Sequence, residues 1–202
     1  RCRDWLSCMI TDFTVSVKAR DFGPLIIPAE VQIYYRNGSA SSKGGMVDAE
    51  LFALGPRQAL YETLDWLRCP AFVYNRQGTA VWYGYIAEIN AVIGALTIGI
   101  SIDTVSNKIK VTTAYTDPEG RSVKSVTDWA SDTVSQAMYG IWELSKSLGG
   151  NRQPIEGIWH RDGSLALLAY PVGTPAIASA SAAGDVPDQV TFKCRGWWAS
   201  LS

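Results

Sequence analysis

Few residues in this chain combine a reactive type with a spacing that could do chemistry. The sole histidine, His160, opens the run His160-Arg161-Asp162 after Trp159. With a serine elsewhere, these are parts of a hydrolytic triad, in which imidazole takes the proton of a nucleophilic hydroxyl. No Gly-x-Ser-x-Gly elbow accompanies them, and the run reads as a polar turn carrying a surface histidine. Cys69 is a second candidate nucleophile with His160 as its base, but it stands directly before Pro70 at a helix end and reads better as packing. Two acid pairs, Asp48/Glu50 on a strand face and Glu62/Asp65 on a helix, have the composition of a glycosidase acid and base. No sequence feature sets either pair in a cleft, so solvated faces are expected. Asp117 and Glu119 lack the repeated acids of a calcium loop. Trp82, Tyr83 and Tyr85 could stack on sugars, yet strand alternation sets Trp82 opposite the two tyrosines, so at least one side is core. Catalytic, cofactor-binding and metal-ligating residues are therefore all left unassigned, no cofactor is expected, and the chain is expected not to be an enzyme.

Composition bounds the alternatives. The chain has 202 residues, 47% hydrophobic and 18% charged, with a net charge of −1. That length builds one or two domains with a sizeable core, and the hydrophobic share argues against disorder. A near-neutral chain lacks the cationic field of a nucleic-acid binder, so no nucleic-acid partner is expected. Eight Trp and nine Tyr favour a binding or assembling protein. Cys2, Cys8, Cys69 and Cys194 match no zinc spacing, and free, mostly buried thiols are expected over a Cys2–Cys8 or Cys69–Cys194 bridge. The longest apolar run, Ala91 to Ile100, is broken by Gly94 and Gly99, whereas a membrane-spanning helix needs ~20 apolar residues. Both ends read as cut: residue 1 is Arg, Met9 is a candidate start, and no cap or polar tail follows Val190 to Ser202. A fragment of a longer protein is expected.

The elements follow from periodicity. Alternation predicts strands over 10–19, 31–36, 46–54, 71–74, 80–89, 96–102, 108–115 and 190–198. Val47, Ala49, Leu51 and Ala53 share one face of the third; Trp82, Gly84, Ile86 and Glu88 share one face of the fifth. Asn37-Gly38 is expected to begin a flexible Ser/Gly loop through Gly45; its Gly38 to Lys43 portion lacks the glycine and hydroxyl of a phosphate loop. Gly55-Pro56 switches the period, predicting a helix over 56–67 with Leu60, Leu64 and Leu67 packed on the sheet. Gly84 inside a strand marks a bulge, a bend or a close backbone approach. Ser125 to Asp128 resembles a capping box, and a long helix is expected behind it to Leu148, with Val134, Ala137, Met138, Ile141, Leu144 and Leu148 as its seam. A short helix is expected over 164–170 and a loose linker over 174–187.

The β–α–β–β order of Gly44 to Ile89 is not a repeated β–α–β alternation. The expected fold is therefore β-rich α+β: a mainly antiparallel barrel-like sheet with one short packed helix and one longer helical extension. The expected division is a barrel-like domain over 10–116, a helical extension and linker over 117–187, and a returning strand over 188–202.

The same stretch carries a resemblance. Gly45, Ala49 and Leu51, then Leu60, Leu64 and Trp66, then Val73, Gly78, Val81, Trp82, Gly84 and Ile86 form a pattern similar to tail-tip and baseplate-hub proteins of tailed bacteriophages. Cys194-Arg195-Gly196-Trp197-Trp198 resembles a strand that recurs near the end of the hub-like region of such proteins. The resemblance implies a structural virion protein of the phage tail, made in the bacterial cytoplasm and acting by assembly. It further implies a homo-oligomer, most simply a trimer, that contacts other tail or baseplate proteins. Two alternatives stand beside it: a carbohydrate- or receptor-binding module, and a hydrolase using His160 or an acid pair.

Overall fold

A computed structural model describes residues 12–41, 45–177 and 187–197. Cys2, Cys8, Met9, Lys43, part of the 174–187 segment and the chain from Trp198 lie outside the described residues. The chain divides into two compact units, Arg1–Ile102 with Gly173–Ser202, and Asp103–Val172.

The first unit is one mostly antiparallel sheet, nearly closed into a barrel. Its strands are β1 (Phe13–Val17), β2 (Gln32–Ala40), β3 (Met46–Leu54), β4 (Pro70–Asn75), β5 (Ala80–Ile93), β6 (Leu96–Ser101), β11 (Thr174–Ile177) and β12 (Gln189–Gly196). The order is β1-β4-β5-β12-β3-β2, with β6 joined to β5 and β11 to β6. The rings of Phe13 on β1 and Tyr35 on β2 meet edge-on at 5.1 Å, bringing the two ends of the order together. Alternation sorts the faces as expected on β3, where Ala49, Leu51 and Ala53 are buried, and Val190, Phe192 and Cys194 of β12 lie beside them in the same core.

Three details depart from simple alternation. β2 does not stop at Asn37-Gly38. It continues to Ala40, because the register against β3 slips between Tyr35 and Asn37 and absorbs the turn-prone pair as an irregularity. On β5, Lys193 pairs with Glu88 but Cys194 pairs with Ile86, so Ala87 is an extra, bulged residue. The inward set is therefore Trp82, Gly84 and Ile86, then Ile89, Ala91 and Ile93; the expected continuation of the Trp82 face into Glu88 is broken there. Gly84 meets the third expectation of a close approach: a Cβ there would run into the Arg195 carbonyl, and one on Gly196 into that of Met46.

The expected helix is present but shorter and tighter. Pro56, extended, precedes α1 (Arg57–Glu62), which tightens into a 3₁₀ turn over Thr63–Asp65. Thr63 is fully buried and its hydroxyl donates to the Leu60 carbonyl at 2.8 Å, which accompanies that tightening. Leu60 and Leu67 are buried, whereas Leu64 is half-buried. Trp66 stacks on Phe192 of β12 at 5.5 Å, fastening the turn to the core.

The second unit holds β7 (Lys108–Thr116), β8 (Ser122–Val126), β9 (Ala130–Ser131), α2 (Thr133–Tyr139), β10 (Glu143–Asn151) and α3 (Pro154–Leu168). The expected long helix to Leu148 is not formed. Its proposed capping box lies at the end of β8, where Val126 pairs with Thr112 and Ser125 with Thr113 of β7. The true cap is Asp132, whose carboxylate accepts from Ser135 N at 2.8 Å, and Gly140 ends α2 with φ +85°. Leu144 and Leu148 then lie on β10, which runs parallel to β7. Leucines four apart fit a helix face, but four is even, so they fit one strand face equally well. The longer helix of this region is α3, started by a Gln153/Glu156 capping box and Pro154. His160-Arg161-Asp162 therefore sits within a helix and not in a turn.

Asn107 ties this unit together. It is fully buried; its amide donates to Gly140 O (2.7 Å) and Ser135 Oγ (3.1 Å), and its side-chain oxygen accepts from Trp142 N at 2.8 Å. Ser135 in turn donates to the carbonyl of Ala169, so one polar node joins the ends of α2, β10 and α3.

Candidate functional site

α3 brings three of the chain's reactive groups onto successive turns. Glu156, His160 and Ser164, four residues apart, line a shallow groove of about 420 Å³ with Lys146, Trp159 and Leu167. Reading 160–162 as a turn hid this alignment; the Gln153/Glu156 box and Pro154 were the signal that could have revealed it. The three groups are neighbours, not a relay. The Glu156 carboxylate accepts from Gln153 N (2.7 Å) and Arg152 Nη1 (3.1 Å), bonds that hold it below the usual carboxylate range, the backbone one foremost. Among the described residues no hydrogen bond joins His160 to Ser164 or Glu156. Backbone N–H groups in the middle of a helix are committed to the preceding turn, so none is aimed at a developing oxyanion beside Ser164.

The other candidates are placed as packing or solvated pairs. Cys69 is buried, and burial pushes its thiol up to about 11, leaving it protonated at neutral pH; burial also raises Cys194. Both thiols are free. Glu50 takes Arg36 at 2.9 Å, and Asp48 takes the Ser39 hydroxyl at 3.1 Å. Lys193 lies in register between Glu50 and Glu88 and bonds Glu88 at 2.8 Å, so this acid row is a cross-strand charge ladder. Asp65 pairs with Arg20 at 2.9 Å. Asp117 accepts from Arg121 within a turn, and that backbone bond lowers its pKa most. Trp82 and Tyr85 are buried and Tyr83 is half-exposed, so the three aromatics form no shared platform.

A cluster that sequence reasoning missed surrounds Arg68. This residue adopts φ +68°, and its guanidinium lies 3.8 Å from the Tyr85 ring centre and 4.8 Å from that of Trp197. Trp197 also packs on Phe22, which has φ +62°. Two non-glycine residues in left-handed conformations thus converge on one indole, and left-handed strain of this kind persists only where surrounding packing over-determines it. Burial lowers the Arg68 pKa, partly offset by Tyr85. The cluster joins the chain after α1 to the end of β12.

Phe13, Phe22, Leu25, Tyr83, Ile141, Trp159, Leu167 and Ile177 are large apolar side chains left exposed. Phe52 and Tyr34 stack at 4.9 Å, and Phe72 and Tyr74 at 6.2 Å, giving the sheet aromatic patches. Among the described residues no group of three or more His, Cys, Asp and Glu is arranged to hold a metal ion, and no helix is long and apolar enough to cross a membrane. Comparisons with protein-family models, with curated proteins and with solved structures find no match.

Proposed function

We propose that this chain is a structural protein of a bacteriophage tail, at the tail tip or baseplate hub, and that it acts by assembly. The observation that supports this most is the fold of the stretch carrying the sequence resemblance. Met46 to Ile93 forms strand, helix, strand and strand as one continuous piece of a barrel-like sheet. In this reading the chain works as a homo-oligomer, a trimer by the resemblance, with other tail proteins as neighbours in the virion. The exposed aromatics supply the interface chemistry: aromatic-rich, with Lys and Glu sparse at its centre. Light scattering across a dilution series, on the protein with all the sequence its gene encodes, should give a constant trimer mass. Mass spectrometry of purified virions should recover the chain. A strict monomer with no oligomerising tail partner, or virions without the chain, would overturn the reading.

A second reading, hydrolysis at the α3 groove, draws on the alignment of Glu156, His160 and Ser164. Under the assembly reading His160→Ala leaves any measured hydrolytic activity unchanged. Abolition of a reproducible activity by that substitution would favour the second reading instead.

A further inference from the structure

We infer that the second unit binds an extended segment of a different polypeptide, which adds as a strand to the outer edge of β10 and lays its side chains in the groove beside α3. Two unfilled features lie side by side there. β10 ends the strand order β10-β7-β8, and β9 also pairs with β7, so among the described residues no strand pairs with the outer edge of β10. In a ladder with β7 alone, half of the β10 backbone donors and acceptors point away from the sheet. Such an edge is a template for another strand unless something covers it. Ser145, Lys146 and Ser147 are exposed, and a Cβ on Gly149 or Gly150 would meet open space. The second feature is the groove itself, walled by Trp159 and Leu167, which are 65% and 75% exposed. A strand edge next to an apolar helix flank suits a chain that offers backbone bonds to one and alternate side chains to the other.

Charge selects the occupant. Glu143 is bound to Lys108 at 2.7 Å, and Glu156 to Arg152 at 3.1 Å. The Lys146 ammonium stands at the groove without an acidic partner among the described residues. The incoming segment is therefore one that sets apolar residues and an Asp or Glu at alternate positions, i and i+2, on the one face it turns to the groove. A second copy of β10 would instead bring another Lys146 towards the first, with its own acid already paired. The inference does not depend on the phage reading, since it follows from the edge, the groove and the charge alone.

The probe is a displayed library of random decapeptides selected on the intact protein. Selected peptides should carry apolar residues and an Asp or Glu two residues apart, and their binding should slow amide hydrogen exchange over 143–148. Lys146→Glu and Trp159→Ala alter exposed side chains, and each should weaken a selected peptide ~10-fold, equivalent to ~1.4 kcal/mol. Selection of no binders, or of binders that protect other amides or ignore both substitutions, would overturn the inference. Concentration-dependent protection of 143–148 in the protein alone would also overturn it, assigning the edge to a second copy.

Discussion

At the scale of the residue, backbone proximity matters more than reactivity. Gly84 faces the Arg195 carbonyl so closely that a methyl group has no room, and the obstacle is backbone, which cannot rotate aside. Gly84→Ala should therefore destabilise the protein by at least ~1–3 kcal/mol, read as a lowered denaturant midpoint. A midpoint unchanged from the parent would mean that β5 and β12 are further apart than described. Asp188 acts at a different kind of site. Its carboxylate accepts from Arg57 Nε at 2.9 Å and Gly94 N at 2.6 Å, and these bonds, Arg57 first, hold its pKa below the usual range. A depressed carboxyl contributes stability above its unfolded pKa and loses it as pH falls through the lower folded value. The contribution should fade below about pH 4. Asp188→Asn should flatten that acid limb in a series of unfolding midpoints against pH, while a limb of unchanged slope would exclude the Asp188 carboxylate as its source.

At the scale of the element, strands were far more legible than helices. β3 shows Ala49, Leu51 and Ala53 inward because nothing interrupts a period of two. β5 hid its bulge because Ala87 is small and apolar and fits either face. The stretch 141–151 was illegible for a deeper reason. Leu144 and Leu148 satisfy two periodicities at once, and pairing with β7, distant in sequence, decides between them. The reverse error concealed α3, whose polar His160-Arg161-Asp162-Gly163 core looks like a loop until its cap is read. Because the groove groups stand on α3, the candidate site was lost with the helix. Around α1 the stripe was legible but its depth was not: Leu60 is fully buried, Leu64 only partly. Leu60→Ala should cost ~2–5 kcal/mol and Leu64→Ala clearly less in matched denaturation curves. Equal losses would show that the 3₁₀ turn does not lift Leu64 from the core.

At the scale of the whole molecule, the second unit is an insertion. The chain leaves the first unit after β6 and returns in β11, and these strands pair directly, with Thr174 opposite Gly99. Its entry and exit points are thus neighbours, the geometry under which inserted domains are tolerated. Replacing 103–172 by a short Gly/Ser linker should leave a cooperative, strand-rich fold by circular dichroism and thermal unfolding. A disordered product would mean that the barrel needs the inserted unit to fold. The same arrangement sets a timetable. β12 is the last described strand of the chain, yet it lies between β5 and β3 in the middle of the sheet. A ribosome releases Val31 to Ile102 long before it releases Phe192, so the nascent barrel waits with a slot down its centre while the inserted unit, contiguous in sequence, has all its strands in hand. The strands on either side of that slot keep unpaired backbone donors and acceptors and an uncovered apolar inner face for the whole interval, which makes the unfinished chain more open to mispairing than the finished protein.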